Sequence, residues 1–171
     1  YPLPEAQLDR FLLKALVPFP SADDLVTVVE RTTAGAEADV RAVADGPEIT
    51  AMIALTREVP AASHVVRHAV DLVVATHRDQ GSAPDVVGRY VRFGASPRGA
   101  QSMILAGKAA ALLDGRPSVS TDDIRAVAPS VLRHRLVLGY EATADSVTAD
   151  QLVAAVLDAV PAPSAGLRGA P

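Results

Sequence analysis

Apolar residues recur at helical spacing over most of this chain. They predict a mainly α-helical protein with one short strand near its start. The opening Tyr1-Pro2-Leu3-Pro4 reads as extended, because each proline disfavours the helical region in its predecessor. Residues 4–8 suit a single helical turn. The apolar run Phe11–Val17, closed by Pro18 and Pro20, reads as a buried strand whose sheet would lie upstream. Ser21 followed by Asp24 marks a capped helix start, and Leu25, Val28, Val29 and Thr32 share one face of a helix ending near Thr33. Residues 34–48 are small and polar and read as a connector. It holds an extended piece at 40–43 and a break at Asp45-Gly46-Pro47.

A second helix follows from Ile49, Met52, Ile53 and Thr56, and ends before Pro60. The stretch 64–75 is rich in β-branched residues. Alternation, however, would mix Arg67 and Asp71 with Val65 and Val73, whereas helical spacing collects Val65, Val66, Ala69, Val70 and Val73 on one face. Residues 82–93 read as a loop. A further helix starts at Pro97, carries Met103, Ile104, Gly107, Ala110, Ala111 and Leu112 as a small-residue stripe, and closes at Asp114-Gly115. Ser120 with Asp123, and Thr148 with Gln151, open two more helices. Pro129 kinks or restarts the first of these, and Pro161 stops the second. Residues 161–171 read as a flexible tail.

Composition narrows the classes. Sixteen basic and twenty acidic side chains give a net charge of −4, which weighs against a nucleic-acid binder of the helix-turn-helix type. With no cysteine there is neither a disulfide framework nor a thiol nucleophile. No apolar run approaches a membrane span, so membrane insertion is not expected. The chain begins at Tyr1 and is read as a piece of something longer.

The candidate chemistry centres on the helix start at 96–98. Ser96 is a good cap, and Pro97 suits the first helical position because its missing N–H is not needed there. Arg98 then sits in the first turn, where the helix dipole disfavours a cation unless an anion is near. It reads either as a solvated arginine or as a phosphate contact, with Arg89 and Arg92 close in sequence. Arg10 reads as an ion-pair partner of Asp9 or Glu5, and Arg133-His134-Arg135 as partners of Glu141 or Asp145 or as a contact to a neighbouring subunit. His64 and His68 have i, i+4 spacing but share the polar face with Arg67 and Asp71, which argues against a metal site. Asp122 and Asp123 complement a helix dipole.

Two long segments carry a family resemblance. GASPRGAQSMILAGKAAALLDGRPSVSTDDIRAVAPSVLRHRLVL resembles the lid of the MoxR-type AAA+ ATPases, and YPLPEAQLDRFLLK resembles the segment after sensor 1 in that family. The resemblance implies three parts: residues 1–20 as the end of the nucleotide-binding core, 21–160 as a helical AAA+ lid, and 161–171 as a tail. Arg10 would be the arginine finger acting in trans, and Arg98 the sensor 2 arginine, with Ser96 and Pro97 at the helix start. Whether Arg98 serves its own nucleotide or a neighbour's stays open. The resemblance also implies ATP and Mg2+ as cofactors, bound mainly by the core, and a cytoplasmic, hexameric ring. That ring would act in chaperone-like remodelling or maturation of client proteins, with von Willebrand factor A-domain proteins as partners. The sequence contains no Gly-x-x-x-x-Gly-Lys-Ser/Thr motif and no Walker B acid run, so the piece alone is expected not to hydrolyse ATP. The residues themselves leave one other reading, a non-enzymatic helical adaptor that binds a protein partner.

Overall fold

The computed structural model describes residues 3–35 and 40–163. Their elements run α1 (Glu5–Leu8), α2 (Ala22–Thr33), α3 (Gly46–Glu58), α4 (Ser63–Val74), α5 (Asp85–Tyr90), β1 (Val91–Phe93), α6 (Pro97–Leu113), α7 (Thr121–Leu132), β2 (Val137–Leu138), α8 (Tyr140–Ala144) and α9 (Ala149–Ala159). The chain divides into two compact units, Tyr1–Lys14 with Ala54–Pro171, and Ala15–Ile53.

The larger unit is a helical bundle. α6 packs on α7 and α4, and α7 also packs on α9. Leu72, Met103, Ile124, Leu132 and Leu152 are its largest fully buried apolar side chains. Small residues let the helices approach closely: a Cβ on Gly107 would lie 2.9 Å from Val119 Cγ2. α7 and α9 begin with the expected reciprocal capping boxes, Ser120 with Asp123 and Thr148 with Gln151. The α6 stripe buries Met103, Gly107 and Ala111, together with Gly99, Ser102 and Ala106. In the smaller unit α2 starts at the Ser21–Asp24 capping box and buries no residue; α3, whose residues 54–58 belong to the larger unit, buries none either.

Four expectations are corrected. Residues 11–17 form no strand; the carbonyls of Phe11, Leu12 and Lys14 lie against side chains of the 133–135 segment, and no strand among the described residues pairs with them. The Asp45-Gly46-Pro47 break is instead the start of α3, where Asp45 and Glu48 cap each other's backbone N–H at 2.8 Å. The expected loop at 82–93 contains α5 and β1. Gly88 and the valines of α5 lower its helix propensity, and β1 exists because β2 pairs with it antiparallel, Val91 opposite Leu138. His68 lies in the core and not on the polar face. The tail from 164 onward lies outside the described residues.

Candidate functional site

The site is assembled where three separated segments meet, at residues 9–12, 94–98 and 133–135. Ser96 caps α6 by accepting the Arg98 N–H at 3.2 Å, and Pro97 is the first helical residue, as expected. What seats this helix start is the end of α4. Thr76 Oγ1 accepts the Ala95 N–H at 2.9 Å and donates to Val73 C=O. His77 Nε2 lies 3.0 Å from the Ala95 carbonyl. Gly94 packs so closely on Thr76 that a Cβ there would lie 2.6 Å from the Thr76 carbonyl oxygen.

Asp9 occupies the anion position that Arg98 calls for. Both carboxylate oxygens lie 2.9 Å from Ser96 Oγ, and Arg98 Nη1 donates to one of them at 3.0 Å. Arg135 Nε lies 3.3 Å from the other. Burial pushes the Asp9 carboxyl up, but the bonds from Arg98 and Ser96 and the charge of Arg135 outweigh it, so it stays below the usual carboxylate range. Arg98 remains about half exposed. Its other guanidinium nitrogens have no partner among the described residues.

Arg135 is the buried member of the group, with its side chain 1% exposed. It donates to the carbonyls of Asp9 (3.1 Å), Phe11 (2.6 Å) and Leu12 (3.2 Å), to that of Val131, and to Ser102 Oγ (3.0 Å). A guanidinium has five fixed donors, so one arginine can hold several carbonyls at once. Burial lowers its pKa and Asp9 opposes that shift. Beside it, His134 Nε2 lies 3.1 Å from Phe11 C=O; burial keeps this imidazole below its ordinary pKa.

Several expected pairings fall differently. Asp9 binds Arg98 and Arg135, and not Arg10. Arg10 is exposed, and no side-chain bond or ion pair holds it among the described residues. Arg133 pairs with Asp150 at 2.9 Å, and Asp145 pairs with Arg89 and accepts from Tyr90 Oη, so neither Glu141 nor Asp145 serves the 133–135 cluster. Arg89 is thereby committed away from the α6 start, and Arg92 stacks over Phe93. Among the described residues no group of three or more His, Asp or Glu could hold a metal ion, and no helix is long and apolar enough to cross a membrane. Sequence reading named Asp9 and Arg135 but not their pairing with each other or with Arg98; Arg135 sits between Leu132 and Leu136 in a basic cluster flanked by apolar residues, and nothing local distinguishes it from Arg133 as the buried member.

The AAA lid domain family matches residues 85–156, from α5 through most of α9 and including the α6 start. The chain is 38% identical over 168 residues to Chaperone MoxR1 of Mycobacterium tuberculosis, covering 95% of this chain and 43% of that protein. It is 31% identical over 178 residues to Protein MoxR of Paracoccus denitrificans, covering 96% and 52%. A crystal structure from Cytophaga hutchinsonii, provisionally named an ATPase, superposes with a TM-score of 0.86 at 27% identity, over 95% of this chain and 50% of that one. The chain carries an AAA lid domain and is homologous over most of its length to the C-terminal half of MoxR proteins; it spans about half the length of the curated relatives it matches.

Proposed function

We propose that this chain is the lid-bearing portion of a ring-forming ATPase, in which Arg98 contacts the terminal phosphates of ATP and Arg10 reaches a neighbouring subunit's nucleotide. The observation that carries the reading is the capped start of α6, which already holds one anion, the Asp9 carboxylate, on Arg98 and Ser96. An ATP phosphate has the same recognition chemistry. Arg98, half exposed and with donors to spare, turns toward it from the helix start. Arg10 is exposed and unpaired, so it reaches a phosphoryl group without first breaking an ion pair. Arginines placed this way accelerate phosphoryl transfer by roughly 10³–10⁵ in other systems. ATP supplies the cleavable phosphoanhydride. Mg2+ would be bound mainly by the nucleotide-binding core together with the ATP phosphates. The ring is a cytoplasmic hexamer that remodels or matures client proteins with von Willebrand factor A-domain partners; support for chaperone work is the name of the mycobacterial relative.

The test is steady-state ATP hydrolysis by the complete native protein beside Arg10→Ala and Arg98→Ala. The reading expects turnover to fall in both, with the ring intact in Arg10→Ala. Normal turnover in both variants, or none in the wild type, overturns it. A second reading, a protein-binding adaptor, is favoured by an apolar hollow of about 970 Å³ lined by Val66, Val70, Ile104 and Leu105 among others. An adaptor would bind its partner equally with and without ATP.

A further inference from the structure

Ala95 is fully buried, and both of its polar backbone groups meet side chains of two consecutive residues at the end of α4. Its N–H donates to Thr76 Oγ1 at 2.9 Å, and its carbonyl lies 3.0 Å from His77 Nε2. A carbonyl only accepts, so the ring nitrogen carries the proton in this bond. Thr76 is itself fully buried, and its hydroxyl hydrogen is committed to Val73 C=O at 2.6 Å. That commitment orients the hydroxyl and leaves a lone pair to accept from Ala95.

Two close approaches flank Arg98. Before it, Gly94 lies against the Thr76 carbonyl, where no side chain fits. After it, a Cβ on Gly99 would lie 3.3 Å from Val73 Cγ2 on α4 and 3.3 Å from Leu132 Cδ2 on α7. Arg98 therefore sits on a short stretch that the end of α4 holds at both ends, with the Ser96 cap and Pro97 between.

We infer that Thr76 and His77 are positioning residues for Arg98: they seat the start of α6, and so set the point from which the guanidinium reaches a phosphate. That the end of α4 seats Arg98 stands on the geometry; that the seat governs catalysis rests on the function proposed above. The two residues differ in weight. Without the Thr76 hydroxyl the buried Ala95 N–H is stranded, and it is satisfied again only if the 94–96 loop moves toward water. Such a move carries Arg98 with it, and a shift of about 1 Å in a positioned group costs about 10²-fold in rate. His77 is exposed, so water replaces its bond when the ring is removed, and the loop moves less.

The first experiment reads the seat by NMR on the 171-residue chain without nucleotide. In the wild type and in Thr76→Ser, the amides of 95, 96 and 98 are expected to fit the alignment tensor of α4 and α6 in residual dipolar couplings, with order parameters near ~0.85. In Thr76→Val they are expected to depart from that tensor or to fall below ~0.6, while α9 does not change. Unaltered couplings and order in Thr76→Val overturn the inference. The second experiment measures ATP turnover by the complete native protein. Thr76→Val is expected to lower kcat about tenfold or more, and Thr76→Ser to keep most of it. In an Arg98→Ala background the same Thr76→Val change is expected to have almost no further effect, because its action runs through Arg98. An equal loss in both backgrounds, or no loss in either, overturns the positioning role. If Thr76→Val does not fold, His77→Ala and His77→Gln carry the same cycle: a smaller loss in the first, recovery with the restored donor in the second, and neither effect beside Arg98→Ala. A complete protein that does not hydrolyse ATP defeats the proposed function, and the NMR result then decides whether the end of α4 seats Arg98.

Discussion

Asp9 and Arg98 stand 89 positions apart in sequence and 3.0 Å apart in the folded chain, joined by a charge-assisted hydrogen bond at the start of α6. The pair sets the resting position of an arginine that would otherwise face the positive end of a helix dipole without an anion.

That pairing has a pH signature. The folded-state pKa of Asp9 lies below its ordinary value, so the unfolded chain binds the proton more readily. The stabilisation is complete above about pH 4, the unfolded carboxylate value, and is lost as pH falls through the folded value. A carboxyl-carbon NMR titration should place Asp9 below the ordinary carboxylate range, and Arg98→Ala should move it upward. An Asp9 titration insensitive to Arg98→Ala would show that the bond does not govern it.

Gly94→Ala tests the seat of the helix start. A Cβ would come within 2.6 Å of the Thr76 carbonyl oxygen and 2.7 Å of Thr76 Oγ1, so backbone must shift. The expected cost is about 1–3 kcal/mol in urea unfolding, the range for overpacking. Thr76→Val keeps the shape but strands the buried Ala95 N–H, with an expected loss of about 1–3 kcal/mol. Wild-type stability in both variants would mean the 94–96 loop is not held as described.

His68 should make the fold sensitive to mild acid. It is 2% exposed, its Nε2 has no hydrogen-bond partner, and burial, aided by Arg125 and opposed by Asp71, keeps its pKa low. The native state therefore prefers the neutral ring. Its contribution is complete above the unfolded value of about 6.5 and declines as pH falls toward the folded value. Stability measured between pH 7.5 and 5 should fall more steeply in the wild type than in His68→Leu. Parallel curves would assign the acid sensitivity elsewhere.

The α7 capping box offers a cleaner acid probe. Asp123 caps Ser120 and binds Arg116 Nη1 at 2.8 Å; the Arg116 bond, against the opposing effect of burial, draws its pKa down to about 2. Its stabilisation is complete above about pH 4 and is lost as pH approaches the folded value. Ser120→Ala should cost about 1 kcal/mol at pH 7 by chemical denaturation. An unchanged midpoint would show that the box does not hold the helix.

Helix starts were legible because their chemistry is local. Ser21, Ser96, Ser120 and Thr148 each meet a backbone N–H two or three residues on, so a window of four residues contains both partners. The inward stripes of α6 and α7 were legible for the same reason: helical spacing alone selects a face. β1 and β2 were not, because strands of three and two residues exist only through each other, and their partners lie 40-odd positions apart. Phe11–Val17 had the composition of a buried strand, but composition carries no pairing partner, and the chain uses those carbonyls to satisfy Arg135.

Arg98 could be named from its neighbours in sequence, since a cation in a first helical turn is an anomaly visible in a short window; Arg10 could be named only through the family resemblance of the Asp9-Arg10-Phe11 segment. Their environment could not. Which carboxylate meets Arg98, which arginine is buried, and which is left exposed were decided by contacts spanning 89 to 126 residues. Charge pairing is non-directional in sequence, so Asp9 had several arginines available. The packing of α6 against α7 places the 96–98 and 133–135 segments beside residues 9–12, where Arg135 donates to the carbonyls of Asp9, Phe11 and Leu12.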